Sequence, residues 1–204
     1  MSNKNSRAIL SDLIKSRRTR KPVFFNPQPP SPILIKELIE CARYAPNHHR
    51  TEPARFYLMN SSQIKLLGKL FGEVLAGDKS QKDLIEKGKR KEKEWGNSPG
   101  ILIVTCDTDP NGVLAKKKPE LNKEDYATCC CILQNLLLLL EAEGISAKWS
   151  TGPVWNHSEF NQTVGIESPQ TESVVALLFY GYSDQQVPER RYTDLNLHFK
   201  HLED

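Results

Sequence analysis

A chain of 204 residues with 28 basic and 25 acidic side chains carries a formal charge of +3, too small to mark a nucleic-acid protein by itself. The length fits one domain over residues 1–204, and no internal repeat, low-complexity segment or interdomain linker is visible. No apolar run reaches the ~18 residues of a membrane helix and the N-terminal MSNKNSRAILSD has no signal-peptide core, so a soluble cytoplasmic protein without a membrane partner is expected.

Ser6–Lys15 carries Ile9, Leu10, Leu13 and Ile14 on one stripe, the period of a short amphipathic helix. It runs into Arg17, Arg18, Thr19, Arg20 and Lys21 before Pro22 stops it. This cluster is either a solvated patch suited to the negative end of the helix or a phosphate clamp, since Arg forks and a hydroxyl are what a phosphate dianion needs. Phe24–Pro30 reads as an extended, proline-rich linker. Ser31-Pro32 starts a helix with a hydroxyl cap and Pro at its first position, and Ile35, Leu38, Ile39 and Ala42 continue it to Tyr44-Ala45-Pro46. The donor-rich stretch Asn47–Pro53 then leads into a strand, Ala54–Met59, and is either a plain loop or a site. Its adjacent His48 and His49 have no third ligand nearby in sequence, so zinc is not expected.

Ser61 is read as the cap of a helix with Ile64, Leu67, Leu70, Phe71 and Val74 inward. Residues 78–95 form a charged helical excursion, a solvated helix or a flap, touching the body through Leu84, Ile85 and Trp95. Its interleaved acids argue against a nucleic-acid face. Ile101–Thr105 is a strand buried on both faces, and Asp107–Lys123 a loop with Asp-Pro-Asn-Gly turn chemistry. From Tyr126 to Leu140 only Gln134 and Asn135 are strongly polar, which describes a long helix buried nearly all round. Glu124 and Asp125 suit its positive end, and Gly144 closes it. Cys41, Cys106 and Cys129–Cys131 show no CxxC spacing and read as small buried hydrophobes in a reducing compartment. Ala147–Gly152 is a short strand and glycine turn facing a ligand. Asn156 caps a short helix, His157–Val164, and Ser173–Tyr182 is a second apolar strand.

No glycine-rich phosphate loop and no nucleophile elbow is present. The donors fall instead in three separated places: the Arg17–Lys21 cluster, the Arg43–Glu52 region and the Trp149 turn, a distribution that suits an extended anionic cofactor. Five motifs stand in series over roughly residues 8–190: Arg17-Arg18-Thr19, Ala42-Arg43-Tyr44-Ala45-Pro46, Asn47-His48 onward to Glu52-Pro53-Ala54-Arg55-Phe56, Gln134-Asn135-Leu136, and Trp149-Ser150-Thr151-Gly152. In that order the chain resembles the FMN-dependent nitroreductase family, particularly its small NAD(P)H-using members.

The resemblance implies an α+β fold, a central sheet flanked by helices, with the long helix at a homodimer interface and FMN bound there. Arg17, Arg18 and Thr19 would hold the FMN phosphate and pyrimidine edge, with Lys21 and Arg191 nearby. Arg43 and His48 would reach the same flavin from the other subunit, while Trp149, Ser150 and Thr151 line its ring with backbone groups. The implied reaction is ping-pong: NAD(P)H reduces FMN, and a nitroaromatic, quinone or similar acceptor reoxidises it. It needs no catalytic side chain, no metal and no nucleic acid. Ala54 departs from the family's usual Trp, and Glu52 from its Gln. Two other readings stand beside this one: a flavin-binding or flavin-processing protein without turnover, and a basic module that uses Arg17–Lys21 and Lys87–Lys93 on nucleic acid.

Overall fold

The structure, a computed structural model, describes residues 3–77 and 81–202. Seven helices and four strands are described: α1 (Asn3–Ser16), α2 (Pro32–Ala42), β1 (Ala54–Leu58), α3 (Ser61–Ala76), α4 (Lys82–Gly96), β2 (Gly100–Asp107), α5 (Val113–Lys117), α6 (Leu121–Ala142), β3 (Ser146–Ser150), α7 (Phe160–Val164) and β4 (Glu172–Gly181). The strands form one antiparallel sheet in the order β1-β2-β4-β3. Alternation along β2 divides the core. Leu102 and Val104 face α2 and α6, while Ile101 and Ile103 face α3, α4 and α7. The result is an α+β architecture with helices on both faces of the sheet, the sheet flanked by helices that the resemblance implies.

The long helix departs from its predicted all-round burial. Leu133, Leu136 and Leu140 sit against the sheet, but Tyr126 is 44% exposed and Cys131 and Gln134 are open. By length and composition this 22-residue helix is long and apolar enough to cross a membrane; its leucine face packs in the core. Asn135 Nδ2 donates to the Ala42 carbonyl at 3.2 Å and so ties α6 to the end of α2. Gly144 has φ +68°, the left-handed conformation expected after the helix.

Other differences have local causes. The first three residues of the excursion, 78–80, lie outside the described residues. The rest is α4, which packs tightly on α3: a Cβ at Gly88 would meet the Gly72 carbonyl oxygen at 2.5 Å, and one at Gly68 the Gly96 nitrogen at 2.6 Å. Trp95 is buried and stacks on Phe71 at 3.7 Å. Asn60, not Ser61, caps α3, in a reciprocal capping box with Gln63. Asn156 ends a short 3-10 turn, and α7 starts only at Phe160. The expected 107–123 loop contains α5 and the first residues of α6. The apolar stripe of α1 is half open, with Ile9, Leu10 and Ile14 exposed. Cys106 and Cys129 are buried as expected, whereas Cys41 and Cys131 are exposed; all five thiols are free. The proline-rich linker starts with a 3-10 turn at Pro22–Phe24 and is fastened to the end of β4 by Asn26 N–H to the Tyr182 carbonyl, 2.8 Å.

Candidate functional site

Once α1 ends, the basic cluster runs along the free edge of β3. Thr19 makes a parallel bridge with Ala147, and the Arg20 amide donates to the Ala147 carbonyl at 3.2 Å. The Arg17–Thr19 segment and the Trp149–Thr151 turn therefore share one sheet edge. The four cationic side chains that follow α1 differ in what they hold. Arg20 pairs with Glu141 at 3.7 Å, and its Nε donates to the Gln185 carbonyl at 3.2 Å, a structural fastening. Arg18 Nη1 donates to the Lys15 and Arg17 carbonyls. Arg17 has no side-chain partner among the described residues, and the Thr19 side chain is exposed. At the turn, Ser150 is buried, Trp149 packs half-buried against the core, and Thr151 is open to solvent.

Lys21 continues into a cavity of about 1330 Å³ between the 21–32 segment and α4, where Phe24, Tyr180, Arg90, Lys91 and Lys93 also line the wall. Lys148, half-buried on β3, belongs to the same electrostatic neighbourhood. Burial holds its ammonium below the ordinary lysine range; Glu94 opposes that shift, and Lys91 and Lys21 deepen it. A net positive enclosure of this kind suits a phosphate-bearing ligand.

The second group of donors is built around Asp125, a carboxylate only 2% exposed. Its two oxygens accept from Thr51 Oγ1 at 2.5 Å and Thr108 Oγ1 at 2.7 Å. Asn47 donates to Thr51 at 3.1 Å and accepts from the Glu52 amide at 2.9 Å, which closes the loop on itself. Arg50 and Glu52 adopt left-handed conformations, φ 53° and 47°, held by this network. Arg43 pairs with Glu52 at 3.0 Å and Glu40 at 3.5 Å, so the acid at position 52 sets a negative charge against the Arg43 guanidinium. Beside them a cavity of about 720 Å³ is lined by Arg43, Tyr44, Glu52, Ala54 and Phe56. The small side chain of Ala54 leaves that space open.

His48 is exposed, and His49 lies 3.6 Å from Glu124. A carboxylate from the start of α6, far away in sequence, thus lies beside the histidine pair. Arg191 stands exposed in the segment beyond β4, with no side-chain hydrogen bond or ion pair among the described residues. Arg43 lines its cavity with Ala54 and Phe56 of β1, whereas the Arg17–Thr19 segment runs along β3, at the opposite edge of the sheet. One chain does not bring them together. Lys148, a lone charge between Ala147 and Trp149 in an apolar strand, is a signal already visible in the sequence. Glu124 and Asp125, expected only as helix-start acids, also meet side chains of the 47–53 loop.

Residues 14–182 match the model of the Nitroreductase family. The chain belongs to that family. This nitroreductase is 29% identical over 197 residues to YfhC of Bacillus subtilis (strain 168), a protein named for NAD(P)H nitroreductase activity; the match covers 96% of this chain and 95% of that protein. Its fold is that of a nitroreductase-like family protein from Bacillus cereus, with a TM-score of 0.77 at 23% identity and 96% of each chain covered. The FMN-dependent nitroreductase NfnB from Mycobacterium smegmatis, solved in complex with NADPH, superposes with a TM-score of 0.73 at 14% identity, over 97% of this chain and 99% of that one.

Proposed function

We propose that this nitroreductase is an FMN-dependent oxidoreductase that passes hydride from NAD(P)H to a nitroaromatic, quinone or similar acceptor by a ping-pong mechanism. The observation that carries the reading is the β3 edge, where the exposed Thr19 bridges Ala147, two residues before Trp149, and Arg17, with no side-chain partner among the described residues, stands just before it at the end of α1. These groups fit FMN: a dianionic phosphate takes charge-assisted bonds from Arg, and main-chain groups at the end of β3 suit the polar edge of a flat ring. Membership of the family and the FMN and NADPH of NfnB support it.

Bound FMN supplies the hydride chemistry. Arg17, Arg18 and Thr19 hold its phosphate and pyrimidine edge, and Trp149, Ser150 and Thr151 orient the ring. Lys21, near Lys91 and Lys148, keeps the surroundings positive. Arg191, in the C-terminal segment, would stand near that phosphate. Arg43 and His48 complete the site from a second copy of the chain, which makes the protein a homodimer. That pairing accounts for their distance from the clamp. It also gives a partner to the open side of α6, to the half-exposed stripe of α1 and to Leu195, Leu197 and Phe199 of the C-terminal segment. No protein acid or base is required. A cytoplasmic setting suits the free cysteines.

The test is an absorbance spectrum of the freshly purified protein with its released flavin quantified, followed by NADPH addition and then a nitroaromatic. About one FMN per chain, bleached by NADPH and recoloured by the acceptor, is the expected result. Tight FMN without bleaching identifies a flavin-binding protein without turnover. A colourless protein that takes up no added FMN refutes the proposal. Light scattering at the same concentration reports the dimer.

A further inference from the structure

His48, His49 and Glu124 each offer one ligand atom, and these atoms all lie within 4.8 Å of one another. Around a tetrahedral zinc ion, bonds of ~2.0–2.1 Å place ligand atoms ~3.3 Å apart. Closing on an ion would draw the widest of these separations in by up to ~1.5 Å. The second observation is an orphan. Glu124 Oε2 is buried without a hydrogen-bond partner; its neighbour, His49 Nε2, stands at 3.6 Å, beyond hydrogen-bond reach. A buried carboxylate oxygen left unpaired costs free energy. A cation between Glu124 and His49 satisfies it.

The backbone that carries these groups is fixed independently of them. Thr51, two residues after His49, donates to Asp125, the residue after Glu124, and the carboxylate of Asp125 is held on its other side by Thr108. Loop and helix are thus joined beside the three ligands, which is the support a metal site needs. The two imidazole rings meet edge to face, with centroids 4.1 Å apart.

We propose that His48, His49 and Glu124 bind a divalent transition-metal ion, zinc by preference, with water as the fourth ligand. The two imidazoles are borderline nitrogen ligands and favour zinc, nickel or copper over calcium or magnesium, which prefer all-oxygen sites; a hard carboxylate completes zinc sites as well. An imidazole has two nitrogens. His48 can therefore ligate through one and keep the other for a neighbouring group. Metal binding would clamp the 47–53 loop to α6 and set the position of Arg43 and the 720 Å³ cavity beside it. The site stands on its own geometry and holds whether or not the flavin reading does.

The experiment is calorimetric titration of zinc chloride into the full-length protein after chelator treatment and dialysis, repeated with cobalt to read ligand-field absorption. One saturable site per chain is expected. His49→Ala and the near-isosteric Glu124→Gln should each lower affinity by more than ~100-fold, and Thr51→Val, which touches only the support, by ~10–100-fold. Circular dichroism checks that each variant is folded. Absence of saturable binding overturns the proposal. So does parental affinity in folded Glu124→Gln and His49→Ala, because the metal would then sit on His157, His198 or His201.

Discussion

Replacing Arg17 with alanine should weaken FMN binding more than replacing Arg18. The guanidinium of Arg17 has no partner among the described residues, so every bond it makes to a phosphate is a gain over the free protein. A hydrogen bond to a charged group contributes about 1.5–3 kcal/mol net. At 1.4 kcal/mol per decade, Arg17→Ala raises the FMN Kd by roughly 10–150-fold. Arg18 already donates to the carbonyls of Lys15 and Arg17. To reach a phosphate it must release two bonds worth about 1 kcal/mol each, which leaves at most about 1 kcal/mol and a loss below tenfold for Arg18→Ala. The assay is fluorescence titration of flavin-free protein with FMN at fixed ionic strength, because both side chains are partly exposed and salt screens them. Arg20→Ala is the control. It loses the Glu141 pair and the Gln185 bond, so it should lower the Tm of the flavin-free protein. An Arg18→Ala loss equal to or greater than that of Arg17→Ala, or an unchanged Kd for Arg17→Ala, would refute the assignment.

Gly88→Ala drives a methyl to within 2.5 Å of the Gly72 carbonyl oxygen; overpacking costs about 1–3 kcal/mol against about 1 kcal/mol gained in helix propensity, and a Tm drop of a few degrees by calorimetry is expected, an unchanged or raised Tm counting against a close α3–α4 seam. Ala54→Trp fills part of the 720 Å³ cavity, so KM should rise for bulky acceptors more than for small ones at unchanged FMN content; parallel changes across acceptor sizes would argue that the cavity is not an acceptor site. Burial pushes the Tyr180 hydroxyl up to about 12 from an ordinary 10.0. The folded state therefore holds this proton more tightly, and the associated stability, about 3 kcal/mol, is complete below pH ~10 and lost as pH rises to ~12. Tyr180→Phe should flatten the fall of the urea midpoint over that range, though not abolish it, since Tyr57 is also raised by burial and by Glu172. An identical slope in the variant would contradict the burial argument.

The parts of the fold visible in the sequence were those where one property dominates. Ile101–Val104 is continuous in apolar character because both faces of β2 are covered, and Gly144 is a glycine where φ is +68°. The α3–α4 seam was hidden for the opposite reason: its contacts are between backbones, made possible by Gly68, Gly72 and Gly88, and residues without side chains leave no hydrophobic pattern. Leu84, Ile85 and Trp95 hinted that the charged stretch had a side facing the body, and of these Trp95 is the buried one. At the site, Arg17–Thr19 and the Trp149 turn were recognisable as separate motifs, and only the Thr19–Ala147 bridge made them neighbours. Asp125 and Glu124 were legible as helix-start acids and nothing more. Their pairing with Thr51, Thr108 and His49 depends on a chain separation that no local pattern carries.

The opposite-edge placement of the clamp and the Arg43–His48 loop has a genetic corollary. If each flavin site takes one half from each chain, a chain defective in the clamp and a chain defective in the loop fail separately but complement each other. In a mixed pair, one site collects both lesions and the other collects neither. Two inactive proteins, unfolded together and refolded as a mixture, would then recover activity that neither regains alone.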